Sequence, residues 1–255
     1  MIGYKELSEK VIFNFDEAYT VFKNKATTYS ALRRLIQKGL LRKIRNDLYS
    51  CVNPMTQEIF ANKFQIASSI NKDSYLSHYS AFEVYGFTNQ VYNVVYVSSS
   101  IHFNDFEFEG IKYICVKTNK KFGVKEIEYN YKIKVTDIER TIIDSIHYID
   151  KISSLEEIIN NIKMVKKINE EKLLMYLKKY NIQSLYQKVG FILFYLKDYL
   201  NLKEDFLSIL KTNINKSVRY LNDESKAEGE YISSFQLIVP KWLLYKKEEE
   251  NKNEL

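Results

Sequence analysis

The spacing of apolar and polar positions changes period along the chain, and each change marks a region. Residues 4–13 read as a first helix. Asp16 stands where it would cap a second, short helix running to about Phe22, with acids in the first turn as the helix dipole prefers. After a basic loop, KNKA, Thr27 or Thr28 is expected to cap a third helix that Gly39 ends. On that helix Ala31, Leu32, Leu35 and Ile36 form an apolar stripe, while Ser30, Arg33, Arg34, Gln37 and Lys38 fall on the opposite face. Beyond Gly39 the period drops to that of strands. Residues 41–44 and 48–52 read as a hairpin turning at Arg45-Asn46-Asp47, where Asn and Asp tolerate turn geometry. Three helices followed by a hairpin is the order of a winged helix-turn-helix.

Pro54 marks the expected boundary of that first domain. Residues 56–70 and 77–86 carry helical spacing, and strands are expected over 91–100, 103–110, 111–117 and 126–135. From Thr136 the helical period returns and persists to about Asn213. Short strands over 217–221 and 231–239 follow, and the tail KKEEENKNEL reads as a solvated mixed-charge end. The expected fold class is α+β: a winged helix-turn-helix at 1–53, then a mixed α/β domain at 54–255 with a small sheet and a helical half. A chain of 255 residues supports two domains.

Composition narrows the function classes. No run approaches the roughly 18 apolar residues of a membrane span, and MIGYKELSEK lacks the layout of a signal peptide, so a cytoplasmic protein with no membrane partner is expected. Cys51 and Cys115 are the only cysteines and neither sits in a motif, which favours reduced thiols over a disulfide or metal framework. The net charge of +6 is informative through its location: residues 1–53 hold ten Lys and Arg against five acids, and the remaining residues hold 28 against 27. Between Lys23 and Arg45 there are eight cations and no acid. That asymmetry points to an anionic partner for the N-terminal part.

In a winged helix the third helix enters the DNA major groove. Arg33 and Arg34 are placed to reach guanine O6 and N7, and Thr28, Tyr29 and Ser30 to touch phosphates or bases. Lys23, Lys25, Lys38, Arg42, Lys43 and Arg45 would neutralise phosphates, with the hairpin tip at Arg45-Asn46 in the minor groove. The competing reading makes the same residues a solvated helix face on a module that docks onto protein.

Catalytic patterns are weak. His78, His102 and His147 lie far apart, without the paired spacing of a zinc site. His78 is expected to cap or pack beneath a helix start. Asp137, Glu139 and Asp144 tempt a metal reading, yet Thr136 or Asp137 suits an N-cap, and Arg140 lies within helical reach of both Asp137 and Asp144. Glu224-Ser225-Lys226 has nuclease-like Glu-x-Lys spacing, but no strand-borne acid precedes it. Lys163, Lys166, Lys167, Lys172, Lys178 and Lys179 form a second basic ridge with Glu156, Glu157, Glu170 and Glu171 interleaved, which favours a solvated face. Phosphate-binding and nucleophile-elbow motifs are absent. No enzymatic activity, cofactor or metal is expected.

Three stretches together resemble one family. ALRRLIQKGLLRKIRNDLYSC, LSHYSAFEVYGFTNQVYNVVYVSSS and VTDIERTIIDSI, followed by RYLNDE and GEYISSFQLIVPKW, are similar in order and spacing to the AbiEi antitoxins of bacterial AbiE abortive-infection systems. The wing turn RNDLY departs from relatives that carry a glycine there. The resemblance implies a phage-defence antitoxin that represses its own promoter by binding inverted repeats in double-stranded DNA. It also implies opposition to a co-encoded nucleotidyltransferase-type toxin without stable contact between the two proteins. An antitoxin that touches its toxin directly, with the winged helix as docking module, is the alternative.

Overall fold

The computed structural model describes residues 3–129 and 132–246, and the chain is α+β. It divides into two compact units, Met1–Leu76 with Tyr92–Val135, and Ser77–Val91 with Thr136–Leu255. Pro54, the expected boundary, lies within the first of these units.

The first unit opens with α1 (Tyr4–Ser8), a shorter helix than residues 4–13 suggested. Val11 takes φ 64 and turns the chain, and Ile12 and Phe13 form β1 instead of a helix end. β1 lies antiparallel to β3 (Leu48–Cys51), which satisfies its backbone groups while both side chains enter the core. α2 (Phe15–Phe22) is capped by Asn14, not Asp16: Asn14 Oδ1 accepts from the Glu17 N–H and Glu17 returns a carboxylate oxygen to the Asn14 N–H, both at 2.9 Å. α3 (Lys25–Gln37) begins earlier than expected, because Asn24 accepts from the Thr27 N–H at 3.0 Å and so acts as N-cap. Its C-terminal end is a Schellman turn, with Leu40 N–H on Leu35 O, Gly39 N–H on Ile36 O, and Gly39 at φ 67.

β2 (Leu41–Arg45) and β3 then form an antiparallel hairpin, giving a sheet ordered β1-β3-β2. The register slips between Lys43 and Arg45, a β-bulge. Asp47 supplies the left-handed turn residue (φ 62) where this sequence has no glycine. Leu7, Phe13, Ala18, Leu32, Leu35, Leu41, Tyr49 and Cys51 make one core cluster, and burial pushes the Cys51 thiol up to about 12, which leaves it inert.

The same unit holds a six-stranded sheet. β4 (Tyr75–Leu76), β5 (Val94–Ser99), β6 (Phe106–Phe108), β7 (Ile111–Lys117), β8 (Val124–Glu128) and β9 (Lys132–Thr136) are ordered β6-β7-β5-β4-β9-β8. β5 and β7 run parallel; β6 is antiparallel to β7, and β4 to β5. α4 (Lys63–Ser69) packs on β4 and β5. It is only the second half of the helix expected over 56–70, since Val52 and Ile59 bridge the chain before it and Asn62 caps it with Gln65. The strand expected over 126–135 is two strands, and residues 130–131 between them lie outside the described residues.

The second unit packs α5 (His78–Val84), α6 (Ile138–His147), α7 (Leu155–Lys163), α8 (Glu170–Tyr180), α9 (Gln183–Tyr195), α10 (Lys197–Leu200) and α11 (Glu204–Thr212). A small sheet closes it, β10 (Arg219–Tyr220), β12 (Leu237–Pro240) and β11 (Gly229–Ile232) in that order, with α12 (Glu224–Ala227) between β10 and β11. The strand expected over 231–239 is interrupted by a short helical turn at Ser233–Phe235, after which Gln236 takes φ 47. Residues 241–246 are helical; the tail from 247 lies outside the described residues.

α6 carries the polar centre of this unit. Arg140, 1% exposed, donates from Nε to Asp144 at 2.7 Å and lies 5.3 Å from the centre of the Tyr180 ring, whose hydroxyl also bonds Asp144. Asp137 caps α6 through the Arg140 N–H and accepts from Tyr176 (2.7 Å) and Lys172 (2.9 Å). Glu139 accepts from the Asn169 N–H at 2.8 Å. Asp144→Ala would remove the carboxylate that pairs with a buried guanidinium. Urea unfolding should show a loss of about 3–5 kcal/mol, and a loss below about 1 kcal/mol would mean that the pair does not hold this core.

Candidate nucleic-acid interface

The phase of α3 decides which of its residues reach solvent. Thr28, Ala31, Leu32 and Leu35 are buried, at the i, i+3, i+4, i+7 spacing of a single face. Ile36, expected within that stripe, sits at its border and is 37% exposed. Thr28 is a correction to the expected contact set: it is 0% exposed, its hydroxyl donates to Asn24 O at 2.7 Å, and it cannot touch a ligand. The other face presents Lys25, Tyr29, Ser30, Arg33, Arg34, Gln37 and Lys38 to solvent, and Lys23 stands exposed at the α2–α3 turn with φ 55. No acid lies on α3, so the charges this helix presents to solvent are all positive.

The hairpin tip is tied to the same region. Asp47 Oδ1 accepts from the Phe15 N–H at 2.8 Å, and the Phe15 ring packs against Tyr29 with centroids 4.4 Å apart. Asn46 and Lys43 are exposed.

Two hairpin arginines expected on phosphates are engaged elsewhere. In β2, Leu41 and Ile44 are buried with Arg42 and Lys43 both exposed between them, because the bulge resets strand alternation. Arg42 forms an ion pair with Glu109 and donates to Gln57 O at 3.3 Å. Arg45 lies over the rings of Phe103 (5.3 Å) and Phe106 (5.0 Å). Its Nη1 is buried without a hydrogen-bond partner, and burial lowers the pKa of the group. The structure therefore gathers Lys23, Lys25, Tyr29, Ser30, Arg33, Arg34, Lys38, Lys43 and Asn46 at the surface, buries Thr28, pairs the exposed Arg42 with Glu109 and lays Arg45 on aromatic rings. Sequence reasoning missed Glu109, Phe103 and Phe106. Glu109 lies 67 residues from Arg42, and no local pattern carries such a pairing.

The remaining chemical candidates have structural employment. Asp137, Glu139 and Asp144 bond protein partners, and among the described residues no group of His, Cys, Asp or Glu is arranged to hold a metal. Glu224 sits on α12 and accepts from Trp242 Nε1 at 2.9 Å, while Lys226 pairs with Asp223. In the second basic ridge, Lys163 lies over Tyr199 and Lys172 bonds Asp137. His78 is buried, with Nδ1 2.8 Å from Ser77 Oγ, its ring edge-on to Tyr148, and Nε2 without a hydrogen-bond partner. Burial holds its pKa down at about 4; Arg140 and His147 add to the depression and Asp144 opposes it.

No protein-family model matches the chain, and no curated protein matches it. Among solved structures, RV2827C protein from Mycobacterium tuberculosis is similar to it, with a TM-score of 0.67 and 12% sequence identity over 95% of this chain and 92% of that one. At that identity the likeness speaks of fold alone. No helix among the described residues is long and apolar enough to cross a membrane.

His78 makes stability depend on pH. The unfolded residue protonates near 6.5 and the folded one only near 4, so the unfolded chain binds more protons between those values. The contribution is complete above pH 6.5 and is lost as pH falls towards 4, by about 3 kcal/mol. Unfolding free energies measured from pH 7 to 4.5 should fall less steeply in His78→Gln than in the parent; parallel curves would show that His78 is not the source.

Proposed function

We propose that this protein is a DNA-binding transcriptional autorepressor and the antitoxin of a co-encoded nucleotidyltransferase-type toxin, working in the cytoplasm. The observation that carries the DNA reading is α3, whose buried face is apolar and whose exposed face is basic and free of acids. Residues 1–53 are read as a winged helix-turn-helix, with α3 as recognition helix and the β2–β3 hairpin as wing. Thirteen residues make a helix about 20 Å long, enough to lie in a major groove about 12 Å wide. Arg33 and Arg34 then meet base edges, and Lys23, Lys25, Lys38 and Lys43 meet phosphates. Tyr29 and Ser30 contact the backbone beside the helix, and Asn46 approaches the minor groove. The antitoxin role rests on the motifs similar to the AbiEi family; the fold neither requires nor opposes it.

Binding of the full chain to its own upstream duplex and to a scrambled duplex, across a salt series, tests the reading. Selective binding with a steep salt dependence is expected; equal, weak binding to both would overturn it. Arg33→Ala should cost about 1–3 kcal/mol on the upstream duplex and much less on the scrambled one. Lys43→Ala should weaken both alike and reduce the salt slope by about one neutralised phosphate. If the two variants behave identically, the division between base readout and phosphate contact is wrong. For the antitoxin half, co-expression with the adjacent nucleotidyltransferase should restore growth, and failure to do so removes that part of the proposal.

A further inference from the structure

In a regular strand, residues three apart point to opposite faces, so Arg42 and Arg45 should diverge. They do not, because the bulge at Lys43/Arg45 inserts the extra residue that brings both onto one structure, the β6–β7 hairpin. Glu109 at its tip takes Arg42, and Phe103 and Phe106 beside it take Arg45. Phe106 is itself braced by Tyr113, its cross-strand partner, with rings stacked 4.8 Å apart.

Glu109 is an unusual residue for its place. Phe108 pairs with Ile111, so the turn is the two residues Glu109-Gly110, at φ 50 and 75. Such turns favour Asn, Asp or Gly at both positions, and a glutamate there holds a strained backbone. The longer side chain carries its carboxylate to Arg42. A carboxylate and a phosphodiester present guanidinium with the same pair of charged oxygens. The Arg42–Glu109 pair is also open to solvent, with side chains 47% and 39% exposed, so a second anion can approach it.

We propose that Arg42 is a phosphate seat of the β2–β3 hairpin and that Glu109 fills it when DNA is absent, making the β6–β7 hairpin an intramolecular competitor for the DNA backbone. The proposal rests on the DNA-binding reading above. Lys43, pointing outward between the two arginines, makes the first phosphate contact; Arg42 then exchanges one carboxylate for one phosphate. Phosphate contacts carry no sequence information, so the competition lowers affinity without altering preference.

The test compares the full chain with Glu109→Gln on the upstream and scrambled duplexes at about 0.1 M salt. Releasing a half-exposed ion pair should tighten binding about two- to fivefold, equally on both duplexes. Glu107→Gln removes the same charge from β6, two residues from the Arg42 contact, and should leave affinity within about 1.5-fold, since an exposed charge with no partner to release contributes little. In an Arg42→Ala background, Glu109→Gln should produce no gain. Unchanged or weaker binding by Glu109→Gln overturns the proposal. So does an equal gain from Glu107→Gln, which would be a generic charge effect, or a gain that survives Arg42→Ala. The DNA reading is judged separately, by upstream against scrambled duplex in the parent chain, while the competition is judged by variant against parent on either duplex. Absence of binding by every protein to both duplexes would end both.

Discussion

A guanidinium that stays charged under all ordinary conditions is buried in the second unit, and the chain around α6 is arranged to meet it. Asp144 supplies the counter-charge one turn along the same helix. Tyr180 donates a hydrogen bond to Asp144 and offers its ring face to Arg140, so α8 is bound to α6 through one side chain acting in two ways. Towards the other end of α6, Tyr176 and Lys172 reach Asp137, and Asn169 reaches Glu139, so the two helices are stitched along their length. The positive charge also bears on His78, which burial has already made neutral. A run of acids that looks like metal chemistry on paper is, in space, the set of acceptors one arginine and one lysine demand.

The first unit faces the reverse problem in its N-terminal part, a run of cations from Lys23 to Arg45 with no acid among them. α3 solves it by phase alone, with its apolar stripe in the core and its basic residues in water. The hairpin divides its basic residues: Lys43 is left to solvent, while Arg42 and Arg45 are held by a carboxylate and by aromatic faces. Arginine suits both seats, since its flat group can offer one nitrogen to Glu109 and another to Gln57 O at Arg42, and can stack on rings at Arg45, which lysine does poorly.

How much of this was legible in the sequence follows the range of each interaction. The stripe on α3 apart from Ile36, the hairpin, and a cap at Thr136 or Asp137 depend on residues within a turn or two and are readable from spacing; the structure selects Asp137. The caps at Asn14 and Asn24 are also locally encoded, but helical spacing over residues 4–13 runs up to the Asn14–Glu17 pair, and Thr27 is as good a capping residue as Asn24. Thr28 was misplaced because a polar residue at a helix start reads as surface, although its hydroxyl can be satisfied inside by the preceding turn. β4 is two residues long, too short for any periodic signal. The fates of Arg42 and Arg45 depend on a partner hairpin distant in sequence and on a bulge, and neither leaves a trace in local pattern.

The chain's path through its two units has a further consequence. It leaves the first unit after Leu76, contributes fifteen residues to the second, returns at Tyr92 and leaves again after Val135. Leu76 and Val135 are register partners in neighbouring strands, so the first unit's sheet closes only when both departures are complete. On a ribosome, where segments emerge in order, the N-terminal helices must therefore wait for more than half the chain before their unit is whole. The second unit receives its first helix, α5, long before α6 arrives to cover it. The apolar side chains of α5, among them Phe82 and Val84, are buried in the finished fold, yet α6, the helix it packs against, is synthesised more than fifty residues later.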